Sequence, residues 1–442
     1  MGRDSFFAIK LMLSTFFIVI ASQLFSQNSH PVSGYVRASV YGIGEAYDFT
    51  TIFGEASFKG NFLIGNAFLN TDIRARSGVR FGERFSDFEL KEAFAGYSNG
   101  KISVSLGNQI VSWGSSDLLS PSDKISPADR FFLSCNPDDQ KLPNFMLRFS
   151  SRIAEGISGE LILIPVYRES DYRFDLYNLG DGISFEKPSL PEKKIRNGTL
   201  ALRVNMALKD VDLSLSFLRG YDPEYGFRML SFEPGQSENS FLIRNSATPY
   251  LKKSIGADIV IIANSVIFKG EALLNLTKDF EDQIHIPYPS LECVAGFETT
   301  LLSTTISAEY SCKRTIGFRE QTLPRLPSSE NPADQVNFAS QMAGYEFEAL
   351  NRKIFHLQKR YNHSAAVSLS GYFLNDELEA NLTGICNFTS SEKLIRGSIK
   401  WRFTDNLSAT AGFNYLSGPE KTPFYYTKGI INGVFTELKF SF

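Results

Sequence analysis

The sequence is poor in the residues on which several protein classes depend. It has four cysteines, four histidines and two tryptophans in 442 residues. Its formal net charge at pH 7 is −3, so the chain has no excess of basic residues with which to bind nucleic acid. We therefore predict no nucleic-acid partner. After the amino-terminal segment no stretch approaches 18 consecutive apolar residues, and this excludes helical membrane spans.

The amino terminus has the features of a secretory signal peptide. Two basic residues, Arg3 and Lys10, precede the apolar run Leu11–Ile20. Small residues follow this run, and they offer a cleavage position after Ser26. The apolar run is about half of the roughly 20 residues that a membrane-spanning helix needs. We therefore predict that residues 1–26 are a signal peptide and that residues 27–442 are exported.

Much of the exported part alternates apolar and polar residues with a period of two, in runs of about ten residues. In the run NLSATAGFNYL, residues 406–416, the apolar side chains fall on one face and the polar ones on the other. The run LIRGSIKWRF, residues 394–403, has the same pattern. Such runs predict strands with one apolar face and one face in contact with water.

The connections between these runs are either very short or long. Short connections are predicted at Asn99-Gly100, residues 153–155, Lys209-Asp210, Asn264-Ser265, Leu302-Ser303, Asn375-Asp376, Ser390-Ser391 and Thr404-Asp405. Long polar loops are predicted at roughly 114–142, 170–196, 222–251, 279–289, 316–358 and 417–428. Short turns on one rim and long loops on the other are typical of an outer-membrane barrel.

We therefore predict an all-β fold: a transmembrane, antiparallel up-and-down β-barrel of about 18 strands, with 14 or 16 strands as alternatives. An even number places both chain ends on the rim of the short turns. The last strand ends on the aromatic residue Phe442. This ending is common in outer-membrane barrels and is taken to be read by the barrel-assembly machinery. The predicted location is the cell outer membrane, with outer-membrane lipid around the barrel.

A barrel of about 16 to 18 strands is wide enough to leave a water-filled lumen, which the polar faces would line. Acidic and basic side chains are nearly equal in number on these faces. Two functions are open for them: a salt-bridged wall that stiffens the barrel, or a transverse field that orients a polar solute. The candidate pore-wall residues are Arg74, Arg76, Glu377, Glu379, Arg396, Lys400 and Arg402.

The segment SDLLSPSDKISPADRFF, residues 116–132, contains near-repeats in which Ser-Pro is followed by Asp. In SPSD and SPAD the serine is suited to cap a helix, the proline to its first turn, and the aspartate to complete a capping box. NPDD at Asn136 and NPAD at Asn331 repeat the pattern. We interpret these motifs as caps of short helical turns. The alternative is a calcium site, whose hard oxygen ligands would be Asp117, Asp123, Asp129, Asp138 and Asp139.

The stretch GNQIVSWGSSDLLSPSDKISPADRF, residues 107–131, resembles the signature G-(R/N)-Q-x-x-x-W-G-x-x-D-x-x-x-x-x-D-x-x-(N/S)-P-x-D. That signature belongs to a family of outer-membrane porins of unknown function related to the alginate-export channels. Weaker matches are LRGYDPEYG, GADIV, KGEALL and the terminal FTELKFSF, which are scattered along nearly the whole exported chain.

This resemblance implies a closed barrel and transport by diffusion. Alginate exporters have an arginine-rich lumen, and the present sequence departs from them because its lumen mixes the two signs of charge. The resemblance also implies an inward-folded loop. Its organising residues would be Gln109, Trp113, Asp117, Asp123 and Asp129.

The function we predict is a passive or substrate-selective channel for small polar or charged solutes, constricted by the loop from Gly114 to Lys141. A surface-exposed adhesin or structural barrel is the alternative, since the basic segment Asn351–Ser364 lies near the outer rim. An outer-membrane hydrolase is a further alternative. It would use His285 or His363 as the base, but the sequence has no G-x-S-x-G motif. We predict no enzyme activity, no cofactor and no metal.

Cys293 and Cys312 are equidistant from the predicted turn at Leu302-Ser303, so they should face each other on the apolar side of a hairpin. Two small lipid-facing thiols and a strained disulfide are both compatible with that position. We expect four free thiols in the unfolded, unreduced chain.

Overall fold

One closed antiparallel sheet of 18 strands dominates the structure. The computed structural model describes residues 32–43, 49–173, 182–234, 241–327 and 331–442. The predicted signal peptide, residues 1–26, lies outside these ranges. No helix within them is both long and apolar enough to cross a membrane.

The described residues form 21 strands, of which three, β8, β11 and β12, make a separate small sheet in the connections on the rim of the long loops. In chain order the strands are β1 (Val32–Ile43), β2 (Phe49–Ile64), β3 (Ala67–Arg80), β4 (Glu83–Ser98), β5 (Ile102–Gln109), β6 (Asn144–Ala154), β7 (Ile157–Ile164), β8 (Ile183–Glu186), β9 (Thr199–Ala207), β10 (Val211–Tyr221), β11 (Gly226–Pro234), β12 (Phe241–Thr248), β13 (Leu251–Ala263), β14 (Val266–Thr277), β15 (Ser290–Leu301), β16 (Thr304–Thr315), β17 (Tyr361–Phe373), β18 (Leu378–Asn387), β19 (Glu392–Arg402), β20 (Leu407–Ser417) and β21 (Gly433–Ser441).

Each of the other 18 strands pairs with the next one along the chain, and β1 pairs with β21. This last pairing closes the sheet, so the barrel has no free edge. Its register matches Tyr35 with Ser441, and the backbone of Phe442 exchanges hydrogen bonds with Gly34. The predicted all-β barrel and its count of 18 strands are confirmed.

The outward face of the barrel is apolar. On β19 the side chains of Ile395, Ile399 and Trp401 are exposed, and they alternate with Arg396 and Lys400, which point into the barrel. Because a lipid bilayer offers no hydrogen bonds, a sheet crosses it only when closed and covered with apolar groups. The chain is therefore an outer-membrane β-barrel.

Most short and long connections lie on opposite rims, as predicted. The inner rim, which also holds the two ends of the barrel, carries only turns of two to four residues, at 65–66, 99–101, 155–156, 208–210, 264–265, 302–303, 374–377 and 403–406. The long connections all lie on the outer rim, at 110–143, 165–198, 222–250, 278–289, 316–360 and 418–432. The turn at Ser390-Ser391 lies on the outer rim, so its prediction as an inner turn was wrong. The rim on which a turn lies depends on the order of the strands and not on the length of the turn.

The capping predictions are confirmed at two motifs and wrong at two. Asn136 caps a 3-10 turn at Pro137–Gln140, and Asn331 caps the outer-rim helix Pro332–Ile354. A second outer-rim helix, Pro423–Ile431, is capped by Thr422. SPSD and SPAD, in contrast, begin no helix.

The reason for this failure is that tertiary partners take the capping groups. The Ser126 hydroxyl accepts from the backbone amide of Val111 at 2.8 Å and donates to its carbonyl at 3.1 Å. The Asp129 carboxylate pairs with Arg80 at 3.2 Å.

The predicted cysteine placement is confirmed. Cys293 on β15 and Cys312 on β16 are directly opposite each other in the strand register. All four cysteines are free thiols in the structure.

Candidate pore constriction and outer chamber

The connection of residues 110–143 folds into the barrel, and we call it the pore loop. Its first half reaches the walls of β14 and β16, where Glu271 and Glu309 bind its backbone. Its second half reaches β19, where the guanidinium of Arg396 donates to the carbonyl oxygens of Ser134 and Cys135, both at 2.7 Å. The loop thus crosses the lumen between distant parts of the wall.

Glu271 holds the start of this crossing. Its Oε1 atom accepts hydrogen bonds from the backbone amides of Ser115 at 2.6 Å and Ser116 at 2.5 Å, and its Oε2 accepts from the Ser120 hydroxyl at 3.0 Å. Gly114 has a φ of +110°, and a Cβ at this position would lie 2.7 Å from Glu271 Oε1. Glycine is therefore required for the carboxylate to approach the loop backbone.

Glu309 holds the next three residues in the same way. It accepts from the backbone amides of Asp117 at 2.7 Å, Leu118 at 3.2 Å and Leu119 at 2.8 Å. Consecutive backbone amides that converge on one anion form a nest, and charge-assisted bonds of this kind are about twice as strong as neutral ones. Two carboxylates on the wall therefore tether five consecutive residues of the loop, Ser115–Leu119.

Trp113 and Gln109 anchor the beginning of the loop. The indole Nε1 of Trp113 donates to Glu160 Oε2 at 2.8 Å. Its ring belongs to a buried apolar cluster whose other members are Val111, Ile125, Met146, Ile162, Ile164, Ala201 and Leu218. Gln109 ends β5, where its amide accepts from Ser105 and donates to the Met146 carbonyl. Both predicted loop organisers are therefore buried in the junction between loop and wall.

The three aspartates predicted to shape the constriction lie in the pore loop but do not converge. Asp117 pairs with Lys269, Asp123 with Lys141 and Asp129 with Arg80. No group of three or more His, Cys, Asp or Glu side chains is arranged to hold a metal ion in the part of the chain that the structure describes. Each of these three loop aspartates has its own cationic partner.

A buried ion cluster fixes the second half of the pore loop to β1 and β3. Arg37 lies 2.8 Å from Glu55, 2.8 Å from Asp139 and 3.2 Å from Glu437, and Arg74 lies 2.8 Å from Asp139. Burial by itself disfavours the charged form of Asp139. Arg37, the Ser134 hydroxyl and Arg74 outweigh burial and hold the pKa of Asp139 well below its usual range.

The predicted pore-wall residues on β3 contact the pore loop. Arg74 takes part in the buried ion cluster. Arg76 pairs with Glu55 and with Glu89, and its guanidinium lies 4.4 Å from the ring centre of Phe132. These two arginines therefore support the pore loop, and their guanidinium groups are already paired.

The predicted pore-wall residues on β18 and β19 lie in two different places in the barrel. Arg396 binds the pore loop, whereas Lys400 and Arg402 lie toward the inner rim. Arg402 pairs with Glu379 at 3.3 Å, and the register matches Glu379 with Lys400. Glu377 was predicted on a strand but lies in the turn 374–377, where it is exposed, because β18 begins at Leu378.

A cavity of about 430 Å³, which we call the outer chamber, lies at the outer ends of β13 to β16 and β19. The pore loop contributes Ser120, Lys124 and Arg130, and the outer loops contribute Phe355 and Phe424. Four cations and four carboxylates line it: Lys124, Arg130, Lys252 and Lys313 with Asp222, Glu224, Glu292 and Glu392. A second cavity of about 710 Å³ lies against β3 and β4, and residues of the pore loop line both cavities.

The architecture resembles solved outer-membrane porins. OccAB2 of Acinetobacter baumannii matches with a TM-score of 0.52 and 10% sequence identity, over 93% of this chain and 97% of that chain. OccK11 of Pseudomonas aeruginosa matches with a TM-score of 0.50 and 9% identity, over 93% and 95% of the two chains. The chain has a porin fold. No protein-family model and no curated protein match the sequence, and its relation to the alginate-export channels stays a prediction.

The three histidines among the described residues, two of which were candidate bases, lie in different connections and strands. His363 is on the lipid side of the barrel, where its Nδ1 atom lies 2.6 Å from the Tyr310 hydroxyl. His285 is buried in the connection 278–289, and burial together with Arg228 lowers its pKa to about 4. His356 lines the outer chamber, and burial lowers its pKa. His30 lies outside the described residues.

Sequence reasoning missed the residues that hold the pore loop. Alternation correctly places Glu271 and Glu309 on the inner face of their strands, but many other charged residues share that face. The separations between Glu309 and the amides it binds are 190 to 192 positions. No spacing pattern within one sequence marks a contact of that length.

Proposed function

We propose that the protein is a passive outer-membrane channel for small polar or charged solutes, with the pore loop as its constriction. The observation that carries this proposal is the tether: Glu271 and Glu309 hold residues 115–119 inside the lumen of an 18-stranded barrel. A barrel of this size has a lumen wide enough for water. A loop held across it narrows the passage and brings solutes close to charged side chains.

We further infer that the solutes are small. The motif at residues 107–131 supports a relation to the alginate-export channels, whose cargo is a polyanion. A polyanion requires a row of uncompensated positive charges, whereas the arginines and lysines of this lumen are largely paired, as in Arg203–Asp258 and Lys269–Glu298. The mixed lining favours solutes with few charges.

The proposal includes the route to the membrane. Residues 1–26 would direct export, and the barrel-assembly machinery would bind the terminal strand β21 through Phe442. Strand β21 supports the idea because it is the last strand in chain order and pairs with β1 to close the sheet. Outer-membrane lipid then surrounds the apolar face.

Single-channel recording in planar bilayers tests the function. We expect stable ion-conducting openings, and deletion of residues 116–132 should enlarge the conductance because it removes four of the five residues that Glu271 and Glu309 tether. Deletion of the outer-loop residues 322–327, most of which are exposed, is the control and should leave the conductance unchanged. A folded barrel that never opens would refute the channel and favour an adhesin or structural barrel. An unchanged conductance after the first deletion would refute the constriction.

A further inference from the structure

Two thiols lie side by side on the outward face of the barrel. Cys293 on β15 and Cys312 on β16 are directly opposite each other in the strand register, and both are free. Cys293 is exposed and Cys312 is half-buried. On the other side of Cys312 the register places His363 of β17 directly opposite it. These three side chains form one line across three strands, which we call the thiol row.

The backbone hydrogen bonds indicate the spacing of the two thiols. In an antiparallel ladder, residue pairs that exchange hydrogen bonds alternate with pairs that do not, and the Cβ atoms of the hydrogen-bonded pairs are farther apart, by up to about 5.5 Å. The amide of Ile316 donates to the carbonyl oxygen of the residue opposite it, Pro289, at 2.8 Å. The two cysteines are four positions further along the same register. They are therefore also a hydrogen-bonded pair, with the wider spacing.

This spacing suits a bridging ion better than a disulfide. The Cβ atoms of a disulfide are about 3.5–4.5 Å apart, which is less than the wider strand spacing. An ion held between two thiolates adds two metal–sulfur bonds, each about 2.3 Å long for zinc. It can therefore span the wider gap without drawing the two strands together. The free state of both thiols agrees with this geometry.

The thiol row lies at the level of the lipid headgroups on the outer side of the membrane. One step nearer the outer rim, Arg314 is opposite Tyr361, and both are exposed on the same outward face. One step further from that rim is Tyr310, which is exposed as well. Aromatic girdles mark the interfaces of a barrel with the bilayer, and an arginine on the lipid face is costly at its midplane. An ion in the external water can therefore reach the thiols.

We propose that Cys293 and Cys312 form a binding site for a soft metal ion that accepts two ligands, of which Cu(I) is the type. Thiolates are the ligands that soft ions prefer. On binding, two Cu–S bonds form and two S–H bonds break, so two protons are released to water and the oxidation state of copper is unchanged. The resulting dithiolate complex carries one negative charge. Arg314, two residues from Cys312 on the same face, offers the compensating positive charge.

The number of ligands makes the site selective. Zinc takes four ligands in structural sites, so two thiolates leave it half satisfied. No group of three or more His, Cys, Asp or Glu side chains is placed to hold an ion within the described ranges. The Nδ1 atom of His363 lies 2.6 Å from the Tyr310 hydroxyl, which already occupies that nitrogen. The site lies on the outer wall of the barrel, so it does not depend on the proposed channel.

Competition between the barrel and a Cu(I) chelator, without oxygen and with a reductant, tests the site. The protein is the folded full-length barrel in lipid nanodiscs, which keep the headgroups around the thiol row. We expect Cys293→Ser and Cys312→Ser each to weaken Cu(I) binding at least hundredfold, because a single thiolate remains. Cys386→Ser is the matched control and should keep wild-type affinity. Cys386 lies on β18 opposite Ala365 and Lys393, so it has no thiol opposite it.

Further measurements distinguish the bridging ion from the alternatives. X-ray absorption of the copper-loaded wild-type barrel should show two sulfur neighbours, and Zn(II) should bind at least hundredfold more weakly than Cu(I). Circular dichroism and heat-modifiable migration establish that each variant is folded, and Cys293→Ala repeats the test with a second side chain. Equal Cu(I) affinities of the wild-type and Cys293→Ser barrels would overturn the proposal. So would the loss of two thiols on titration of the folded, unreduced barrel, because the pair would then be a disulfide.

Discussion

Glu309 on β16 accepts a hydrogen bond from the backbone amide of Asp117 at 2.7 Å. The side chain of Asp117 turns the other way and pairs with Lys269. The wall therefore binds the main chain of the pore loop at this residue, while the carboxylate of the loop binds a different strand. The wall glutamates thus bind the main chain of the pore loop, and the loop aspartate adds a separate ion pair.

The tether predicts that the double variant Glu271→Gln, Glu309→Gln loosens the pore loop. Each glutamine loses the negative charge on which the backbone amides converge, at a cost of roughly 1–3 kcal/mol per site. We expect larger fluctuations of the open-channel current and faster trypsin cleavage after Lys124. Glu420→Gln is the control, since its carboxylate is exposed and distant from the loop in the sequence. Unchanged current noise and unchanged protection of Lys124 would contradict the tether.

The buried ion cluster predicts that Arg37→Met destabilises the barrel and the second half of the loop. Without Arg37, Glu55 and Glu437 remain as buried carboxylates beside Asp139 and lose their shared cation. Removal of one partner from a buried ion network costs about 3–5 kcal/mol. The measurement is the urea concentration at which the heat-modifiable folded band disappears. Lys209→Met, at a side chain that is 93% exposed in an inner turn, should have little effect. Equal midpoints for the two variants would contradict the role of Arg37.

The buried His285 predicts an acid-sensitive outer loop. Its pKa is about 4 in the folded loop and about 6.5 when exposed, so below pH 6.5 the open loop binds a proton that the closed loop does not. Stability is therefore lost as the pH falls through 6.5, and the loss is complete below about 4. At pH 5 it amounts to roughly 2 kcal/mol. Amide hydrogen exchange in residues 278–289, corrected for intrinsic rates, should accelerate from pH 7.5 to pH 5.

A matched variant isolates this histidine. His285→Gln removes the titrating group, so the difference in exchange between the two pH values should largely disappear. If the wild-type loop is protected equally at both pH values, the buried neutral histidine is not what controls its opening.

The fold could be predicted from the sequence because a barrel strand alternates apolar side chains toward lipid with polar side chains toward the lumen. Ile395, Ile399 and Trp401 face lipid and Arg396 and Lys400 face the lumen, and their order along the chain alone predicts this. The turn at Ser390-Ser391 shows where local pattern stops. Its length resembles that of an inner turn, but its rim depends on counting every strand before it.

The capping motifs show the same division. Asn136 and Asn331 cap helical turns as predicted, because the groups involved are only two residues apart. Ser126 has the same local preference, but the backbone of Val111 lies within hydrogen-bond distance and takes its hydroxyl. Local preference decides a structure only where no tertiary partner is stronger.

The sequence by itself determined the strands, the face that each strand turns to lipid and the polar face that each turns to the lumen, because each depends on neighbours a few positions apart. Closure was predicted from the apolar outer faces, because a sheet in lipid cannot leave an edge unpaired. Only the tertiary structure decided which wall carboxylates hold the pore loop and which arginines are neutralised. Those outcomes depend on groups separated by tens to hundreds of positions, and their energies are set by distance and burial.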